Sequence, residues 1–174
     1  PNLYGVGKTH LVAALFHQII ETDTKIYVFR DGVNYRKKPC PVYFTAENTL
    51  LSRIRQTFNR SNKNNDDKDY EETEEDVYQQ LDKYNLLVMD DVGKVRPRDY
   101  SFLQGVYFRI IDSRYTSQQP IILTTNLDYA ELENHIGGAS ADRLREMCGD
   151  KGFVKMTGKS YRQRKIKDEL PAKD

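Results

Sequence analysis

The sequence predicts an α/β fold, a parallel sheet with helices on both faces, and three observations lead there. Four short apolar runs, near 42–45, 86–89, 121–125 and 153–157, have the length and β-branched content of buried strands. Segments of helical period separate them, which is the alternation that builds a parallel sheet with ligands at its strand C-terminal ends. Finally, Gly5-Val6-Gly7-Lys8-Thr9-His10-Leu11 reads as the second half of a phosphate-binding loop, G-x-x-x-x-G-K-[ST].

Each residue type in that loop suits an anion. Glycines let backbone N–H groups approach phosphate oxygens, and Lys8 brings a cation to the β- and γ-phosphates. The Thr9 hydroxyl suits Mg²⁺, and the helix N-terminus that follows adds its dipole. Residues Gly5 to His10 are therefore the cofactor-binding candidates, although Asn2 stands where the motif has its first glycine. A G-K-T in a surface loop is the plainer alternative. The expected helix after the loop carries Leu11, Ala14, Leu15 and Ile19 on one face. A phosphate loop ordinarily follows a buried strand, so the first strand is expected to be missing, its place being the sheet centre.

From Lys25 to Tyr35, alternation around Asp31-Gly32 signals a hairpin, and Pro39-Cys40-Pro41 breaks the chain before the Val42 strand. Glu47 to Phe58 reads as a helix with Leu50, Leu51, Ile54 and Phe58 on one side. Asn59 to Asp76 is poor in apolar residues and reads as a mobile loop, and Val77, Leu81 and Tyr84 suggest a short helix. Leu86 to Met89 then forms a strand ending in Asp90 and Asp91. In a nucleotide hydrolase the first acid holds Mg²⁺ through water, and the second can polarise the attacking water. Asp99 is placed to cap a helix reaching Tyr115. Ile121 to Thr125 is the next strand, and Asn126 at its end can orient water or touch a γ-phosphate; a strand-end turn explains the same residues. Ser140 is expected to cap a helix that Gly149 ends, and Phe153 to Thr157 to form the last strand.

The 174 residues suit one domain, spanning 1–174, with 38 % apolar and 30 % charged residues. Apolar runs are far too short for a membrane span, and two distant cysteines with three scattered histidines give neither a disulfide nor a zinc pattern. A reduced, cytoplasmic setting is expected. Net charge is +1, yet unevenly placed: Asp66–Asp76 holds eight acids, and Lys151–Asp174 holds eight bases against three acids. Such polarity can steer a nucleic acid, and it also describes ordinary solvated faces.

Together these pieces resemble the DnaC/DnaI-type helicase loaders and the IstB transposition helper ATPases of the AAA+ class. Besides the phosphate loop, the matching pieces are Thr45-Ala46-Glu47, Leu86 to Gly93, Ile110-Ile111-Asp112-Ser113-Arg114-Tyr115, Thr124-Thr125-Asn126-Leu127, Asp142-Arg143-Leu144-Arg145-Glu146-Met147 and Lys159-Ser160-Tyr161-Arg162. The resemblance implies a P-loop fold, ATP and Mg²⁺ as cofactors, and ATP hydrolysis. Lys8 and Thr9 would be Walker A contacts, Asp90 and Asp91 the Walker B acids, and Asn126 sensor 1. Arg143 would be an arginine finger acting in trans and Arg162 the sensor 2 arginine. Arg143 also fits a surface ion pair, with Arg145 the reserve finger, and Arg162 a solvated or DNA-facing tail. A finger in trans implies that hydrolysis depends on assembly, and Asp91 stands where the family more often has Glu, which leaves room for slow turnover.

The family further implies a homo-oligomer around single-stranded DNA, beside a hexameric replicative helicase, whose binding region would precede this ATPase core. Arg53, Arg55, Arg60 and Lys63 are the basic candidates for DNA phosphates, ordinary exposed helix charge being the alternative. Two other readings stand beside the loader: a transposition helper binding duplex DNA, and a nucleotide-dependent protein-interaction module without catalysis.

Overall fold

The structure, a computed structural model, describes residues 4–21, 28–30, 34–36, 42–60, 72–97, 99–149 and 151–161. Its centre is a parallel sheet of β3 (Val42–Ala46), β4 (Leu86–Val92) and β5 (Ile121–Thr125), in that order. A separate antiparallel pair, β1 (Val28–Arg30) and β2 (Asn34–Arg36), is the expected hairpin. Its turn at Asp31-Gly32 lies outside the described residues, as does Pro39-Cys40-Pro41.

Alternation along β4 divides the core into two faces, because successive strand side chains point to opposite sides. Leu86 and Val88 face α1 (Lys8–Glu21), where they meet Val12, with Ile19, Val42 and Ile122 alongside. Leu87 and Met89 face the larger cluster, built from α2 (Glu47–Arg60), α3 (Glu74–Asp82), α4 (Tyr100–Thr116), α5 (Tyr129–Ile136) and α6 (Gly138–Cys148). Helix α4 is the spine of that layer. Leu103, Val106, Tyr107, Ile110, Ile111 and Arg114 recur at helical spacing and are all buried. The fold is thus α/β with helices on both faces of a parallel sheet.

Side-chain caps explain three of the helix starts. Thr73 and Asp76 form a reciprocal capping box before α3, Asp99 caps α4 as expected, and Asp128 with Glu131 forms a second box before α5. Gly149, at φ 58, ends α6.

Five expectations need correction. Phe153–Thr157 is not a strand: it pairs with no strand among the described residues, and a strand without a paired neighbour has no ladder. Ser140 does not cap α6; it lies buried within its first turn, and Gly137 occupies the cap. Residues 74–76, expected in a loop, are helical because the capping box starts α3 there, and Tyr84 falls beyond its end. The first helix buries Val12, which is not on the expected stripe; of that stripe Leu11, Ala14 and Leu15 are exposed, and Ile19 packs beside Val12. Helix α5 went unexpected: Tyr129, Leu132 and Ile136 keep a helical period, but eight residues are too short a window for it to stand out.

Candidate functional site

Lys8, Thr9, Asp90, Asp91 and Asn126, singled out in the sequence, converge at the C-terminal ends of β4 and β5. Gly5 and Gly7 take φ of 71° and 96°, conformations that favour glycine, and Gly7 C=O accepts the Leu11 amide at 2.9 Å to open α1. That turn delivers Lys8 and Thr9 to the sheet. Lys8 Nζ donates to Asn126 Oδ1 at 2.6 Å, linking the loop to the end of β5. Thr9 Oγ1 donates to the Asp90 carboxylate, 3.0 and 3.1 Å from its two oxygens. Burial pushes the Lys8 ammonium below its ordinary pKa, and the nearby charges of Asp91 and Asp90 pull it back up. His10 is exposed on α1, and Val6 is half-buried.

Asp90 is buried, and Asp91 is half-buried with its carboxylate 3.2 Å from Lys94 Nζ. Asp91 adopts φ 57°, a left-handed backbone uncommon for a non-glycine residue. It coincides with a register slip between β4 and β5 at Met89/Val92. Thr124 Oγ1 accepts the Asp91 N–H at 3.0 Å and donates to Asp90 Oδ1. Thr9 and Asp90 set a hydroxyl against a carboxylate. That pair of hard oxygen donors fits a small divalent cation that keeps other positions for water and phosphate. Among the described residues no cluster of three or more His, Cys, Asp or Glu could hold a metal by itself.

The chain's last described segment closes over the loop. Tyr161 N–H donates to Gly5 C=O at 2.9 Å, and Ser160 is buried against Gly5, where an added Cβ would lie 2.3 Å from the serine oxygen. Arg162, the next residue, lies outside the described residues.

Behind the acids sits a group to which the sequence assigned no role. Glu47 is buried, and its Oε2 accepts the amides of Gly93 and Val95, each at 3.1 Å. Its Oε1 accepts Tyr107 OH at 2.7 Å and His135 Nε2 at 2.6 Å. Burial pushes the Glu47 pKa up, but the hydrogen bonds from His135, Tyr107 and Val95 outweigh it and leave the carboxyl below its ordinary value. Glu47 thereby fixes the loop that follows Asp91. A signal for it exists, an acid directly after a buried strand, but its partner His135 is 88 residues away.

The remaining candidates are held elsewhere. Arg143 on α6 bonds Asp112 at 2.9 Å and Ala139 C=O at 3.3 Å, with its guanidinium 4.8 Å from the Phe108 ring centre. None of these belongs to the Lys8–Asp90 constellation. Arg145 stacks on Tyr129 at 5.3 Å. Arg53 is engaged by Glu72, Gln80 and Tyr43, whereas Arg55 is exposed and lies 5.1 Å over Phe102. The side chain of Arg60 and the whole of Lys63 lie outside the described residues.

A phosphate-type loop, two acids on the neighbouring strand and a polar residue ending the next define a P-loop α/β fold of the AAA+ class. Solved structures agree with that assignment. The DnaC helicase loader aligns at 25 % identity and TM-score 0.55, over 83 % of this chain and 70 % of that one. AMPPCP-bound DnaA from Aquifex aeolicus aligns at 17 % identity and TM-score 0.61, over 96 % of this chain and 42 % of that one. A DNA replication initiation factor gives 16 % and 0.58, over 82 % and 35 %. The last two likenesses concern the fold, and this chain spans less than half of either protein. No protein-family model and no curated protein matches the sequence. The chain has a DnaC-like AAA+ fold. No helix among the described residues is long and apolar enough to cross a membrane.

Proposed function

We propose that this chain is an ATP-hydrolysing switch of the helicase-loader kind, one that assembles with ATP on single-stranded DNA beside a hexameric replicative helicase. One observation carries the reading: Lys8, Thr9, Asp90 and Asn126, drawn from three separate elements, are joined by hydrogen bonds at one sheet edge. The AMPPCP in the DnaA neighbour and the loader likeness support it.

In this reading Lys8 neutralises the terminal phosphates, and its partially desolvated ammonium interacts more strongly there than it would in water. Thr9 and Asp90 would hold Mg²⁺, which when bound would offset charge on the phosphate oxygens. Asp91, left-handed within β4, accepts a proton from the attacking water, and Asn126 orients that water. Arg143 serves as the finger toward a neighbouring copy, leaving Asp112 and Phe108 to do so. Arg162 is assigned the sensor 2 role. Of the basic candidates Arg55 is exposed, and it would meet DNA phosphates together with Arg60 and Lys63 on the same stretch of sequence.

Fluorescence anisotropy on labelled single-stranded and duplex oligonucleotides, with ATP, ADP or neither, tests the reading, with Lys8→Ala as control. ATP-dependent preference for the single strand, lost in Lys8→Ala, is expected. A preference for duplex would replace the loader by a transposition helper. Binding to neither, together with absent turnover, would leave a nucleotide-dependent protein-interaction module.

A further inference from the structure

We propose that Thr124 is the positioning residue for both Walker B acids, an inference that rests on the ATPase reading above. The β4–β5 ladder pairs Leu87 with Ile121, Val88 with Ile122 and Met89 with Leu123, then slips and resumes at Val92 with Thr125. The slip leaves Asp90 and Asp91 without register partners on β5. Backbone groups inside a sheet must still find partners, so something other than the ladder has to serve the Asp91 amide.

Thr124 does so with its side chain. The residue is 5 % exposed. Its Oγ1 accepts the Asp91 N–H at 3.0 Å and gives its one proton to Asp90 Oδ1. One hydroxyl thus fixes the backbone of one acid and the carboxylate of the other. The requirement is strict at Asp91, since a left-handed non-glycine residue persists only where its surroundings hold it. Asp90 is gripped from two sides, by Thr9 of the phosphate loop and by Thr124 of β5. Thr125 repeats the device one residue on, donating to Val92 C=O at 2.7 Å and accepting the Leu127 amide at 3.0 Å. The Thr124 hydroxyl spans the break in the ladder, the Thr125 hydroxyl bonds Val92 where pairing resumes, and of the two only Thr124 reaches the acids.

Thr124→Val keeps the branched shape and deletes the hydroxyl, and Thr124→Ser restores the hydroxyl. Three readouts are taken: amide hydrogen exchange at Asp91, turnover of ATP across a Mg²⁺ titration, and thermal unfolding. In Thr124→Val, Asp91 should lose its protection, turnover should fall about ten- to a hundredfold, and half-saturating Mg²⁺ should rise. Thr124→Ser should recover protection and return turnover to within a few-fold of the parent. Unchanged Asp91 protection in Thr124→Val overturns the proposal. So does a Thr124→Ser variant as impaired as Thr124→Val, or a turnover loss that merely follows a lowered unfolding temperature. If the parent and Asp90→Asn show the same absent turnover, the ATPase reading falls instead, and exchange at Asp91 alone then judges Thr124.

Discussion

The two ends of the same sheet bury polar side chains in opposite styles. At the N-terminal edge Arg114 is 1 % exposed, and its guanidinium donates to the carbonyls of Leu81, Tyr84, Asn85 and Pro120. Burial lowers its pKa to about 10, with Asp82 acting in the other direction, so it stays charged at neutral pH. These four carbonyls are backbone, and they tie the segments entering β4 and β5 to α4. At the C-terminal edge, Lys8, Thr9, Asp90, Thr124 and Asn126 bond mainly to one another, beside a strained Asp91. A charge surrounded by carbonyls that cannot leave is structural. Side chains that satisfy each other until a ligand replaces one of them can do chemistry.

That contrast can be broken first at the structural end. Arg114→Met should cost about 3–5 kcal/mol, because several buried carbonyls lose their donor together. Urea unfolding should show it, while the folded fraction keeps its nucleotide affinity. At the other end, Asp90→Asn should lower turnover by about a hundredfold, or about 2.7 kcal/mol of barrier, with an unfolding midpoint close to the parent's. Stopped-flow or coupled phosphate release would read it, and an equal loss of stability at both ends would erase the distinction.

Glu47 sharpens the comparison because it lies between the two styles. Glu47→Gln should cost about 1–3 kcal/mol. Since the folded carboxyl sits below its ordinary pKa, its contribution is complete above that ordinary value and is lost as the pH falls through the folded one. Acid titration of stability should therefore be steeper in the parent than in Glu47→Gln. The smallest effect is expected at Arg143, whose ion pair with Asp112 is part-exposed. Arg143→Ala should change stability by no more than about 1 kcal/mol, yet lower turnover specifically at high protein concentration, where copies meet.

Local pattern carried the sequence reading as far as local pattern can. Strands β3, β4 and β5, the Asp99 cap and the buried stripe of α4 follow from period and capping, all of them short-range. Lys8, Thr9, Asp90 and Asn126 were named from their motifs, and the structure brings those four together. What escaped depends on distance and register. Thr124 acts because the ladder slips beside it, and Glu47 because His135, on a short capped helix, folds back onto it. Arg114 read as one of the chain's 27 bases, since nothing local distinguishes a buried arginine from a solvated one. Phe153–Thr157 had a strand's composition, but composition cannot supply the neighbour that makes a strand.

The seam between Gly5 and the Ser160–Tyr161 segment has a mechanical consequence. A phosphate that pulls on the loop backbone also pulls on the Tyr161 amide, and the serine pressed against Gly5 leaves no slack between them. The loop and the far end of the described chain are therefore geared together. Any displacement of the Gly5 carbonyl must carry the Tyr161 amide with it or break the bond that joins them.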